Sequence, residues 1–107
     1  SIGTNTVHPL GSFATTSSNQ VLDTFDKNEH KNVKYMISVS KGSDWQSSEA
    51  IINHDGSTSY ITEYAVMDSG VGDMYTIDTD VNVNSIRLLI TPLQINTNVS
   101  LIRTQID

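Results

Sequence analysis

Residues 33–39 carry apolar or aromatic side chains at the odd-numbered positions and mostly polar ones at the even-numbered positions. This period of two most constrains what the chain can fold into. The even-numbered positions hold Lys34, Met36 and Ser38. Successive side chains of an extended strand point to opposite faces, so the pattern predicts a strand with one face in a core. The chain also favours Ile, Val and Thr over Leu and Ala, and β-branched residues suit strands better than helices. An all-β protein is therefore predicted. The core-facing positions are Val33, Tyr35, Ile37 and Val39.

Further strand signals recur along the chain, with turn residues between them. The dipeptide Asp55 and Gly56 separates two β-rich runs and predicts a hairpin closed by a two-residue type I′ turn. Regular short strands of this kind are typical of a small antiparallel β-sandwich or jelly roll. We assign that domain to residues 21–107. The additional strands are predicted at residues 21–25, 48–54, 59–67, 74–78, 85–93 and 98–106.

Residues 1–20 show neither a strand period nor a helix period, and we interpret them as an extended N-terminal arm. Four apolar residues are spaced along the arm, which is too many for a free tail. One alternative packs them along the domain's own surface. The other docks the arm on a neighbouring subunit, because an extended segment finds backbone partners at a sheet edge. The candidate assembly residues are Ile2, Val7, Leu10 and Phe13.

Length and charge exclude several classes of function. A chain of 107 residues fits one domain, and it contains no cysteine, so it has neither a disulfide nor a thiolate metal site. The formal net charge is −6, which repels phosphate backbones and anionic lipids, so nucleic acid and membrane surfaces are not expected as partners. No apolar run approaches the about 18 residues of a membrane span, and the first residues lack the pattern of a signal peptide.

The titratable residues match no catalytic or cofactor motif. The sequence has three histidines and twelve carboxylates without zinc-ligand, nucleophile-elbow or P-loop spacing, and we therefore predict a protein that is not an enzyme and needs no cofactor. Asp78 and Asp80 are weak metal candidates, because they lie two apart on one face of a strand and calcium takes oxygen ligands. The alternative is that these aspartates serve turns and solubility.

Aromatic residues provide a second candidate site. Trp45, Tyr60 and Tyr64, with Tyr75, could stack on the apolar face of a sugar, or they could lie in the core or at a protein interface. The strands of the predicted hairpin carry apolar residues on both faces. Two-sided strands of this kind suit a sandwich whose outer face meets a neighbour.

The sequence resembles a β-sandwich structural module found in virion proteins of tailed bacteriophages, particularly those of marine cyanobacteria and other aquatic hosts. The likeness covers most of the chain and rests on strands and turns, not on a catalytic signature. The segments that carry it are VHPLGSF at residues 7–13, KYMISVS at 34–40, SSEAIINHDGSTSYITEY at 47–64 and SIRLLITP at 85–92.

The resemblance implies a non-enzymatic component of the virion. Such modules act by symmetric contact between many copies, so the expected partners are other capsid, neck or fibre proteins and further copies of the chain, with three copies about an axis expected. Capsid decoration is the sharpest expectation within this class. The alternative is a receptor-binding or carbohydrate-binding module of a tail fibre.

Overall fold

The computed structural model describes the backbone of residues 4–105 and the side chains of residues 13–105. Within this range the chain consists of strands and connecting turns. No helix here is long and apolar enough to cross a membrane. The strands are β1 (Thr4–Phe13), β2 (Gln20–Asp26), β3 (Asn32–Lys41), β4 (Asp44–His54), β5 (Ser59–Asp68), β6 (Tyr75–Asn82), β7 (Ser85–Pro92) and β8 (Thr97–Gln105).

The eight strands form two antiparallel sheets that pack face to face. The larger sheet has the order β1-β8-β3-β4-β5, and the smaller sheet has the order β2-β7-β6. Strands that follow one another in the chain pair from β3 to β5 and from β6 to β7. The pairs β1 with β8, β3 with β8 and β2 with β7 join distant parts of the chain. The all-β sandwich predicted from the sequence is confirmed.

The core lies between the sheets and is filled by every second residue of the central strands. All four odd-numbered positions predicted from β3 are fully buried, and Leu89 and Leu101 are buried as well. Strand β7 is the middle strand of the smaller sheet. Its near-continuous apolar run fits this place, and Pro92 lies at its last position, where the missing amide hydrogen is tolerated.

Two polar contacts join the sheets inside this apolar core. The hydroxyl groups of Ser48 on β4 and Tyr75 on β6 lie 2.5 Å apart. The side chain of Gln46 accepts a hydrogen bond from the backbone amide of Met74. Burial raises the pKa of Tyr75 to about 12, so at neutral pH the phenol stays protonated and keeps its hydrogen bond with Ser48. These contacts set the position of β6 over β4.

A third polar contact joins β2 to the larger sheet. The hydroxyl of fully buried Tyr35 donates to Asp23 Oδ2 at 2.9 Å, and Arg103 Nη1 donates to the same oxygen at 3.0 Å. Burial, followed by the charge of Asp23, raises the pKa of Tyr35 far above its ordinary value. The Asp23 carboxylate therefore accepts a hydrogen bond from a buried phenol and pairs with the guanidinium of Arg103. Arg103 lies on β8, 80 positions away in sequence.

The segment that we expected to be an arm contains a strand of the sheet. Its backbone from Thr4 to Phe13 pairs with β8, and the register shifts between Pro9 and Gly11. Proline at the edge of a sheet and an irregular ladder explain why no period of two is visible there. Phe13 packs against the chain's own core. The side chains of Ile2, Val7 and Leu10 lie outside the described residues, and their role in assembly stays a prediction.

The turns differ from the sequence prediction in one respect. The two-residue hairpin lies at Gly42 and Ser43, between β3 and β4, where Gly42 has a φ of 61°. The loop between His54 and Ser59 has four residues, so the predicted two-residue turn at Asp55 is wrong. The Asp55 carboxylate accepts hydrogen bonds from the amides of Ser57 and Thr58, which stabilises the longer loop.

Gly56 nevertheless has the positive φ that the sequence predicted, at 92°. We expect Gly56→Val to lower the free energy of unfolding by about 1–2 kcal/mol, because a β-branched residue disfavours this backbone conformation. A Cβ at this position would meet no atom within 4 Å, so the effect is conformational and not a clash. Urea denaturation measures it, with Ser57→Val as a control in the same loop. Equal stability of the two variants would contradict the prediction.

Candidate assembly surface

The outer face of the larger sheet is the face of β3, β4, β5 and β8 that points away from the core. Its positions alternate with the buried ones along each strand, as the cross-strand register requires. No strand among residues 4–105 packs over it, since the smaller sheet covers the opposite side. The side chains that define it here are Lys34, Met36, Trp45, Glu49, Tyr60, Tyr64, Met67 and Ile102.

Large apolar side chains are exposed on this outer face. Met36 in the middle of the sheet is 47% exposed, Ile102 on the neighbouring strand is 38% exposed, and Met67 is 60% exposed. Met36 and Ile102 are direct cross-strand partners, so their side chains lie together. A single exposed apolar residue is ordinary, but a connected group on one sheet face is typical of an interaction surface.

The outer face carries almost no net charge. The charged residues at its outward positions are Lys34 and Glu49, whose side chains form an ion pair at 3.3 Å. The hydrogen bond to Glu49 and the charge of Glu49 raise the pKa of Lys34, which keeps the ammonium protonated. The whole chain has a net charge of −6, so this face is nearly neutral on an acidic protein.

The outer face of the smaller sheet has a different character. Asp26, Asp78 and Asp80 lie there with Arg87, so carboxylates outnumber cations. Arg87 binds Asp80 through two nitrogens, at 2.7 and 2.5 Å, and this contact lowers the pKa of the Asp80 carboxyl. A polar face with an excess of negative charge favours contact with water and repels acidic proteins.

Two shallow grooves lie on the outer face of the larger sheet, and Met36 lines both of them. One groove has a volume of about 290 Å³ and is lined by Met36, Ala65 and Met67. The other has a volume of about 270 Å³ and is lined by Met36, Ile102 and Thr104. Both grooves also touch Glu49. Two grooves of similar size thus adjoin the cross-strand pair of Met36 and Glu49.

A β-bulge shapes the first groove. The register between β4 and β5 shifts between Ser47 and Glu49, and Ala65 on β5 has a φ of 53°. A residue in the left-handed region at a bulge bends its strand and re-aims the neighbouring side chains. The bend brings Met67 opposite Ser47 and leaves a gap beside Met36 that forms the groove.

The predicted aromatic platform is not assembled. Trp45 lies at the first end of β4. Tyr60 on β5 pairs with Asn53, which lies at the other end of β4. At about 3.3 Å per residue this separates them by about 25 Å along the strands. Tyr64 lies opposite Glu49, between the two, and Tyr75 is buried. These aromatic residues do not share one sugar-sized surface.

The two metal candidates also have other partners. Asp80 binds Arg87, and Asp78 Oδ1 accepts a hydrogen bond from the amide of Thr79. Across the described part of the chain, no three histidine or carboxylate side chains are grouped so as to hold a metal ion.

A polar cleft of about 380 Å³ lies at one end of the sandwich, between the loop after β2 and the loop after β4. It contains His54, whose Nδ1 accepts from the Gly56 amide at 3.0 Å and whose Nε2 lies 2.6 Å from the carbonyl of His30. Because a carbonyl only accepts, Nε2 carries the proton and donates. Both ring nitrogens of His54 are thus used to join the two loops.

The residues that our sequence analysis missed are Met36, Met67 and Ile102. Each lies on the outer face, where the alternation predicts polar side chains. The signal that could have found them is an apolar residue at a polar-face position, as Met36 is within residues 33–39. Their shared location depends on the pairing of β3 with β8 and β4 with β5, which no local pattern encodes.

Comparison with known proteins identifies similar folds without a close relative. No protein-family model matches the chain, and no curated protein matches it. Among solved structures, the tailspike protein of Acinetobacter phage vB_ApiP_P1 matches 96% of the chain with a TM-score of 0.55 and 11% identity. The tailspike protein of Acinetobacter baumannii phage AM24 matches 95% with a TM-score of 0.54 and 10% identity. This chain has the fold of a tailspike segment.

A further match is the tailspike protein gp49 of Acinetobacter baumannii bacteriophage Fri1, described as a capsular polysaccharide depolymerase, with a TM-score of 0.48 and 12% identity over 95% of the chain. The chain spans 21% of the first tailspike, 26% of the second and 17% of the third. In the first two tailspikes the likeness therefore concerns one part of a longer protein.

Proposed function

We propose that this chain is a non-enzymatic structural module of a phage tail appendage, a spike or fibre, and that it joins other virion proteins through its outer face. The observation that carries the proposal is the exposed, nearly neutral apolar group around Met36 on a domain that is otherwise acidic. Surfaces of this kind are typical of protein contacts. The tailspike-like fold supports a place in the virion.

A tail appendage fits the fold better than capsid decoration does. The structures that resemble the chain are tailspikes, and the chain matches a segment of each. The sequence resemblance to modules of marine and cyanobacterial phages favours a phage of that kind as the source. In an appendage, several copies are arranged about one axis, and we propose three copies here. Many weak contacts between copies then give a stable assembly.

Two polar side chains of the end cleft, Asp55 and His54, are engaged with backbone groups, which favours a structural role for them. Glycoside hydrolysis requires two carboxyl groups on either side of the bond, one of them protonated. Glu29 and Asp55 both line the cleft. Hydrogen bonds from the amides of Thr58 and Ser57 lower the pKa of the Asp55 carboxyl, so this carboxylate is engaged in closing its own loop. The cleft histidine His54 is engaged with backbone groups through both ring nitrogens.

Labelling of phage particles tests the proposal. Antibodies raised against the chain, coupled to gold, are expected to bind the tail of particles of the phage that encodes it. Gold on the head would support capsid decoration and contradict the appendage. Particles without gold, under conditions in which the antibody binds the isolated chain, would contradict a place on the virion surface. Preimmune antibodies provide the matched control.

The absence of catalysis is tested separately. The chain, incubated with the host's surface polysaccharide, is expected to release no reducing ends above those of a heat-denatured sample. Release that is lost in Asp55→Asn or Glu29→Gln would instead show an active cleft. Retention of the intact polysaccharide on immobilised chain, without cleavage, would favour the receptor-binding alternative.

A further inference from the structure

We infer that His54 is a pH-sensitive clasp between the loop after β2, residues 27–31, and the loop after β4, residues 55–58, and that its protonation opens the clasp. His54 is the last residue of β4, and its ring bonds to one backbone group in each loop. Nε2 donates to the carbonyl of His30 at 2.6 Å, and Nδ1 accepts from the amide of Gly56 at 3.0 Å. The clasp lies at one end of the sandwich, apart from the outer face.

Only the neutral imidazole can make both of these bonds. In the neutral ring one nitrogen donates and the other accepts, whereas both nitrogens of the protonated ring are donors. A proton on Nδ1 of His54 would point at the N–H of Gly56, so two donors would face each other and one of them must move. Histidine is the side chain whose charge ordinarily changes between about pH 5 and 8. The clasp is therefore closed at the upper end of this range and opens as the pH falls.

The charged groups around the ring leave this hydrogen bond as the contact that depends on protonation. Asp55 lies in the same loop as the Gly56 amide and favours the protonated ring, and Glu29 in the other loop acts in the same sense. Lys27 and Lys31 line the same cleft and oppose a positive charge on the ring. Two ammonium groups thus offset two carboxylates around His54.

The second imidazole of the cleft belongs to His30, and it acts in the same direction as His54. Its Nδ1 is buried and has no hydrogen-bond partner among the described residues, so a proton there would add a donor without an acceptor. The ring of Phe25 contacts both imidazoles, with centroids 6.4 Å from His30 and 6.1 Å from His54, and it offers neither of them an acceptor of comparable strength. Protonation of His30 therefore adds to the opening and does not oppose it.

The opening is local, because a second link between the loops contains no imidazole. Lys27 Nζ donates to the carbonyl of Gly56 at 3.1 Å and keeps the loops together. The same end of the sandwich holds Thr4 of β1 and Gln105 of β8, which pair with each other, and Gln105 also pairs with Val33 just after the first loop. The clasp therefore changes the end of the sandwich at which β1 begins and β8 ends.

A nuclear magnetic resonance titration of the wild-type chain tests the inference. Between about pH 7.5 and about pH 5.5 the Gly56 amide signal is expected to shift in step with the ring signals of His54. Hydrogen exchange at this amide, corrected for the intrinsic effect of pH, is expected to rise about fivefold, the factor that corresponds to one lost hydrogen bond. The amide of Gly42, in the hairpin at the opposite end of β4, is the control and is expected to change in neither respect.

Two variants separate the histidines. In His54→Asn the side-chain oxygen can still accept from the amide two residues ahead but does not titrate, so the pH-dependent shift of Gly56 is expected to disappear. His30→Asn is expected to retain that shift. A Gly56 amide that stays unchanged in the wild-type chain, or that shifts equally in His54→Asn, would overturn the inference. Should His54→Asn fail to fold, the wild-type titration and the retained shift in His30→Asn decide the question.

Discussion

Replacing Ile37 with Asp is expected to abolish cooperative folding of the domain. Ile37 lies on β3 between the two sheets and is fully buried. A carboxylate there would be charged in a site without water, or would be protonated at a cost in free energy. We expect a loss of more than about 4 kcal/mol, which is comparable with the whole stability of a small domain. Thermal unfolding followed by circular dichroism measures the effect.

The matched control for Ile37→Asp is Met36→Asp, the same change at the preceding residue. Met36 points to the opposite face of β3 and is about half exposed. Its variant is expected to fold, with a change of about 1 kcal/mol or less. Folding of Ile37→Asp with a melting curve like that of Met36→Asp would contradict the sandwich described here.

Removing the Asp23 carboxylate is expected to have the second largest effect. In Asp23→Ala, buried Tyr35 loses the acceptor for its hydroxyl, and Arg103 loses its ion pair with Asp23. In the wild-type chain the side chain of Asp23 is only 11% exposed and that of Arg103 only 17%. Removing the carboxylate takes away a counter-charge of a largely buried guanidinium, which keeps its hydrogen bond to the carbonyl of Thr24. We expect the free energy of unfolding to fall by about 3 kcal/mol, measured by urea denaturation.

Two further variants separate the contributions of Asp23. Asp23→Asn keeps an oxygen that accepts from Tyr35 but removes the charge, so its loss is expected to lie between wild type and Asp23→Ala. Tyr35→Phe removes only the hydroxyl and should cost about 1 kcal/mol. If Asp23→Ala were as stable as the wild-type chain, the contacts of Asp23 with Tyr35 and Arg103 would not hold β2 on the larger sheet.

Local pattern was sufficient to predict the core of the larger sheet. The period of two in residues 33–39 identified Tyr35 and Ile37 as buried, because the alternation is a property of a single strand. The positive φ of Gly56 was also predictable, since glycine adopts it without strain. The length of that loop was not, because the Asp55 carboxylate can close a four-residue loop as well as a shorter one.

The candidate site was predictable only in part. The sequence shows apolar residues on both faces of the β4–β5 hairpin, which pointed to a neighbour on the outer face. It also suggested an aromatic platform from Trp45 and Tyr60, yet the strand register places these residues far apart. The exposed group formed by Met36 and Ile102 requires β3 to pair with β8, two strands that about sixty residues separate.

By itself the sequence determined the all-β class, the strand faces that enter the core and the acidic character of the domain. These follow from side-chain alternation, β-branching and the number of charges, each of which is set residue by residue. Only the tertiary structure decided which strands are neighbours, and thereby joined Asp23 to Arg103 and Met36 to Ile102. Pairings between distant strands depend on the packing of the whole core and on the closure of long loops, for which a single segment carries no signal.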